Sequence, residues 1–180
     1  MLKGEKIILD SPREEHLEQM LRWRNNPEYI QYYREYRVLN NVQQHMWWKN
    51  KILNDQSWQY FVVKPVEEPD KIIGVTGLTY IHPIYKTAEF AITIGDPEYR
   101  GSGYGSNALR TVIKYGFEQL NLNRIFGEVY NNNEAVGVYR HIGFKDEGTL
   151  RQTVFKNGKY CDSFMLGMLR SDYEEAKKRW

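Results

Sequence analysis

Between Thr87 and Phe117 the chain reads TAEFAITIGDPEYRGSGYGSNALRTVIKYGF, a β-branched run, a loop with glycine at 101, 103 and 105, and then an amphipathic helix. Leu109, Val112, Ile113, Phe117 and Leu120 recur at helical spacing, so the glycines occupy a strand-to-helix turn. Backbone N–H groups at a helix N-terminus point outward, and the helix macrodipole favours an anion there. A phosphate-binding turn is the immediate reading, and two familiar forms of it fail on spacing. A P-loop ends in Gly-Lys-Ser/Thr, which is absent, and a dinucleotide fingerprint requires glycine three positions after Gly103, where Ser106 stands. Taken alone, the loop is equally a tight turn that needs positive φ.

The rest of the chain alternates strands and helices without repeats, low-complexity tracts or long linkers. KIILDSPREEHLEQML predicts a short strand and a helix with Ser11 as N-cap, Pro12 at the first helical position and Glu14 completing a capping box. Leu17, Met20 and Leu21 form its apolar face. The aromatic and arginine-rich LRWRNNPEYIQYYREYRVLNN reads as irregular or short-helical, broken at Pro27; VQQHMWWKNKILND predicts a second helix. WQYFVVK and KIIGVTGLTYI predict a hairpin through the EEPD turn, RIFGEVY another strand, and EAVGVYRHIGF a short helix. In FKNGKY, Asn157-Gly158 marks the turn of a final hairpin, and SDYEEAKKRW reads as a terminal helix.

About 27 residues after the glycine loop, Asn132, Ala135, Tyr139, Gly143 and Phe144 carry the pattern N-x-x-A-x-x-x-Y-x-x-x-G-F. Together with Arg100, Gly103 and Gly105 in R-x-x-G-x-G, this resembles the GNAT superfamily of acyl-coenzyme-A-dependent N-acetyltransferases. The segments IGDPEYRGSGYG and EGTLRQTVFKNGKYCDSFMLGML are most similar to the branch with ribosomal-protein-alanine, spermidine and amino-sugar N-acetyltransferases. The resemblance spans nearly the whole chain. It implies one domain over residues 1–180, of mixed α+β class, with a twisted, mostly antiparallel sheet splayed between two parallel central strands and flanked by helices.

It further implies acetyl-CoA as cosubstrate, its pantetheine arm pairing with the free edge of the fourth strand at Ile92, Thr93 and Ile94. The pyrophosphate would rest on the backbone of Arg100, Gly101, Ser102, Gly103, Tyr104, Gly105 and Ser106, with the side chains of Ser102 and Tyr104 turned elsewhere. Asn132 would contact the pantetheine or order the loop, cap the following helix, or both. Acetyl transfer to an amine needs a proton acceptor, because an amine of pKa about 10.4 is neutral in only about one molecule in a thousand at pH 7. Glu89 is the candidate base, acting through water, with a structural role in holding a neighbouring loop as its alternative. Tyr139 is the candidate acid for the departing thiolate, with a buried packing role as its alternative. A backbone N–H near Ile94 would stabilise the oxyanion.

Composition narrows the remaining classes. A net charge of +2 over 180 residues offers no basic face for nucleic acid, and the apolar runs are too short to span a membrane. A single cysteine, Cys161, cannot form an internal disulfide, and no secretory signal pattern opens the chain, so a cytoplasmic setting is expected. His16, His45, His82 and His141 lack metal-ligand spacing, and no metal is expected. Between Arg22 and Lys49, five basic residues face Glu28 and Glu35, a balance of +3. That balance argues against a polyamine acceptor and favours a small amine bearing phosphate or carboxylate, such as a nucleotide-linked amino sugar. The same arginines could equally be solvated beside a core or a homodimer interface. A protein N-terminus as acceptor, a polyamine acceptor and a non-catalytic acyl-CoA-binding module are the other classes.

Overall fold

Strand-forming runs must find partners for their backbone N–H and C=O groups, and here they do so in one sheet. The computed structural model describes residues 1–180. Its strands are β1 (Leu2–Lys3), β2 (Ile7–Asp10), β3 (Gln59–Pro65), β4 (Gly74–His82), β5 (Thr87–Ile94), β6 (Arg124–Tyr130), β7 (Lys145–Lys156) and β8 (Lys159–Leu169). They lie in the order β1-β2-β3-β4-β5-β6-β8-β7. Every neighbouring pair is antiparallel except β5 with β6, the mostly antiparallel arrangement with one parallel central pair that the resemblance implies. The two-residue β1 makes the expected fourth strand the fifth.

The parallel pair is brief. Thr87 faces Arg124, Ala88 faces Ile125 and Glu89 faces Phe126, and the ladder stops there. Beyond it, Phe90 to Ile94 remain paired only with β4, and Gly127 to Tyr130 only with β8. The sheet therefore opens at its centre, and the inner edge of β5 has no strand beside it from Phe90 onward.

Alternation along β3 shows how helices cover both faces. Phe61 and Val63 join the main core of 23 buried residues, whereas Val62 between them packs with Leu17, Met20 and Trp23 on the other side. The latter come from α1 (Leu17–Arg24), beside which lie α2 (Pro27–Ile30) and α3 (Asn41–Trp47). The main core is closed by α4 (Tyr104–Glu118), α5 (Val136–Ile142) and α6 (Arg170–Ala176). On α4 the buried face is Ala108, Leu109, Val112, Ile113, Gly116 and Phe117, one stripe of a 3.6-residue period. Replacing Ile113, which is fully buried, by alanine is expected to destabilise the fold by about 2–5 kcal/mol, read from the midpoint of urea unfolding.

Three local readings change. Ser11 does not cap α1: its N–H donates to Asp10 Oδ1, because β2 runs through Asp10 opposite Val62, and the helical path begins as a 3-10 turn at Glu14. Arg13 takes the cap position, with its N–H donated to His16 Nδ1. Pro27 starts a helix instead of breaking one, at the first position of α2 behind the Asn26 cap. Asn157 and Gly158 behave as read, both with positive φ (51° and 79°), as the hairpin turn between β7 and β8 requires.

Candidate active site

Where β5 and β6 part, they leave a cavity of about 820 Å³ lined by both strands, α4, α5 and the segment after α2. Ile92, Thr93 and Ile94 line it from the open edge of β5, and Arg100, Gly101, Gly103, Gly105 and Ser106 from the loop and first turn of α4. Gly101 (φ +71°) and Gly103 (φ +87°) hold left-handed backbone, and Gly103 is the N-cap of the 15-residue α4. The glycines are therefore required by the turn itself, and the same turn directs the α4 N-terminus at the cavity. A Cβ at Gly101 would meet nothing within 4 Å, so its constraint is backbone conformation, not crowding.

The loop's other members divide. The Arg100 guanidinium donates to the Ile94 carbonyl from Nε and NH2 at 2.9 and 2.8 Å and lies 3.6 Å above the Tyr29 ring, which fixes the end of β5 to the loop. Ser102 and Tyr104 do not line the cavity. The Ser102 carbonyl accepts from Lys6 Nζ, and the Tyr104 hydroxyl donates to Glu67 while its ring packs edge-on to Tyr99. Asn132 also lies outside the cavity, its Oδ1 buried with no hydrogen-bond partner. The local capping contact expected of it belongs to Asn133, whose Oδ1 accepts from the Ala135 N–H at the start of α5 and which does line the cavity.

Tyr139 projects from α5 to the cavity wall, its ring edge-on to Phe90 at 5.0 Å between centroids. It is 8% exposed, and loss of solvation pushes its phenol up to about 12. The packed aromatic is thus what the ring is, and its phenol keeps its proton at neutral pH.

Glu89, the last position of β5 paired with β6, is 7% exposed. Its carboxylate carries a partner that the sequence does not indicate. Arg34, in the segment between α2 and α3, donates to it through NH1 at 2.8 Å and NH2 at 2.5 Å. Arg34 NH2 also lies 3.4 Å from Glu128 Oε2, and Glu128 Oε1 accepts from Ser163 Oγ at 2.6 Å. Two carboxylates thus share one guanidinium, held by the first of them above its ordinary pKa. Trp58, Tyr60, Tyr80 and Tyr130 complete this side of the cavity.

The arginine-rich segment does not supply a set of free cations. Arg22 pairs with Glu18 and Arg37 with Glu35; Arg24 donates to Gln44 Oε1 and lies over Trp47. With Arg34 on Glu89, all four arginines are engaged within the chain; of the five basic residues in the count, Lys49 included, only Arg34 lines the cavity, and the charge count that favours a phosphate-bearing acceptor loses its structural basis. No three His, Cys, Asp or Glu side chains gather as a metal site, and Cys161 is buried in β8. No helix is long and apolar enough to cross a membrane.

Comparisons with known proteins bear on the family and the fold. A family model described as "Acetyltransferase (GNAT) domain" matches residues 6–145. The spermidine N(1)-acetyltransferase of Vibrio cholerae is 35% identical over 125 residues, 69% of this chain and 70% of that protein. The corresponding enzyme of Escherichia coli K12 is 35% identical over 125 residues, 69% of this chain and 65% of its own. The crystal structure of spermidine N-acetyltransferase from Vibrio cholerae in complex with CoA and spermine superposes with a TM-score of 0.85 at 29% identity, covering 95% of this chain and 99% of that one.

Proposed function

The chain belongs to the GNAT acetyltransferase family, and from that premise we propose that it transfers the acetyl group of acetyl-CoA to a primary amine of a polyamine-class acceptor. The observation that carries this reading is the pair Glu89 and Glu128 beneath a cation in an aromatic-walled cavity. Carboxylates and aromatic ring faces together favour alkylammonium groups, and the group resting there now is itself cationic. The likeness to spermidine acetyltransferases supports the same class.

Acetyl-CoA supplies the activated acetyl thioester, and the residues present fit it. The open edge of β5 offers unpaired backbone at Ile92 to Ile94, and Gly103, Gly105 and Ser106 bring the α4 N-terminus to the cavity as an anion site. Among the chain's own groups, Glu89 receives the acceptor's proton through a water, and Tyr139 holds a proton at its hydroxyl for a departing thiolate. Backbone N–H near Ile94 stabilises developing negative charge on oxygen. Asn133, lining the cavity where Asn132 does not, takes over the loop-ordering role.

Thiol release from acetyl-CoA across spermidine, spermine, simple monoamines, nucleotide-linked amino sugars and peptides with free N-termini tests the proposal. Spermidine or spermine is expected to lead in kcat/KM. A lead for amino-sugar conjugates or for peptides would reassign the acceptor, and coenzyme binding without turnover of any amine would make the chain an acyl-CoA-binding module.

A further inference from the structure

Buried carboxylates need a counter-charge, and Glu89 has one only because Arg34 provides it. The two sides of that pair differ sharply in exposure. The Glu89 and Glu128 side chains are 9% and 20% exposed, whereas Arg34 above them is 51% exposed. The guanidinium can therefore leave for solvent without unpacking the core. The segment that carries it is held independently: Lys156 Nζ, next to the β7–β8 turn, donates to the carbonyls of Ile30 and Tyr33 at 3.2 and 2.8 Å, and Asn157 Nδ2 donates to Gln31 Oε1 at 3.0 Å. Swinging Arg34 outward does not require that anchor to break.

Resting on the polyamine reading, we propose that Arg34 is a specificity-determining internal competitor, occupying the ammonium subsite of Glu89 and Glu128 until the acceptor replaces it with a positive charge of its own. The amine that attacks must be neutral, and so it cannot be the group that replaces the guanidinium. An acceptor therefore needs a second, charged amino group, which Glu128 is placed to hold while Glu89 takes the proton. A monoamine cannot meet both demands. If Arg34 covers the subsite in about 90% of molecules, acceptor affinity is lowered about tenfold.

The test uses the full chain and its Arg34→Gln and Arg34→Lys variants, with spermidine and n-butylamine as acceptors and methylguanidinium chloride as a probe of the subsite. Arg34→Gln is expected to lower KM for spermidine on the order of tenfold and to narrow the preference for spermidine over n-butylamine. By calorimetry, methylguanidinium should bind Arg34→Gln, compete there with the amine, and bind the parent protein and Arg34→Lys about tenfold more weakly. An unchanged or raised KM in Arg34→Gln, or equal methylguanidinium binding by all three proteins, overturns the proposal. If none of them acetylates spermidine, the polyamine reading fails, while selective binding of methylguanidinium by Arg34→Gln still upholds the competitor role.

Discussion

Replacement of Tyr139 by phenylalanine is expected to lower kcat by about 10²- to 10³-fold while leaving coenzyme A affinity and thermal stability unchanged. The substitution removes one oxygen and keeps the ring that packs edge-on to Phe90, so the packing role survives and the proton-donating role does not. Burial raises the phenol's pKa to about 12, and its acid form is therefore complete at every pH well below that value. An alkaline fall in kcat that begins at lower pH belongs to another group and should persist in Tyr139→Phe. Steady-state kinetics at saturating acetyl-CoA, with calorimetry for the coenzyme, separates these effects. A kcat within a few-fold of the parent's would leave Tyr139 only its packing role.

Ser106→Glu is expected to weaken coenzyme A binding by about 10- to 100-fold without loss of stability. Ser106 is the third residue of α4 and lines the cavity. A carboxylate there is favourable to the helix, by about 0.3–1 kcal/mol through the macrodipole, yet opposes a diphosphate at the same N-terminus. Stability and binding thus move in opposite directions, which a general disruption of the loop cannot produce. The loss should shrink as salt is added, and Ser106→Gln, similar in size but neutral, should lose far less. Gly103 is a poorer place for this test, because its φ of +87° penalises any side chain whether or not coenzyme is bound.

What could be read in the sequence was local. The glycine loop, the stripe on α4 and the Asn157-Gly158 turn each announce themselves within a few residues, because backbone conformation and helical period are short-range properties. Ser11 misled for the complementary reason: its capping pattern is intact, but the strand pairing of Asp10 with Val62, 52 positions away, holds the chain extended past the point where the cap would act. The contact of Arg34 with Glu89 spans 55 positions and that with Glu128 spans 94, and no spacing rule connects them. A charge count therefore placed Arg34 among free cations when the fold had already matched it with two carboxylates. Asn132 and Asn133 show the same limit on a smaller scale, since adjacent identical residues in one motif differ only in the direction the turn gives each side chain.

Three residue pairs are all the parallel ladder that joins the first five strands to the last three. Past that seam, cohesion between the halves falls to side chains such as Phe90, Tyr139 and Phe144 and to whatever fills the gap. A cosubstrate bonded to the native edge of β5, as we propose, would have nothing equivalent to bind in the unfolded chain, so by linkage its occupancy would add RT ln(1 + [L]/Kd) to folding, about 2.7 kcal/mol at a hundredfold excess over Kd. On that proposal the enzyme's durability is partly a property of its surroundings: as the acetyl-donor pool is depleted, the protein would lose its substrate and part of its resistance to unfolding together.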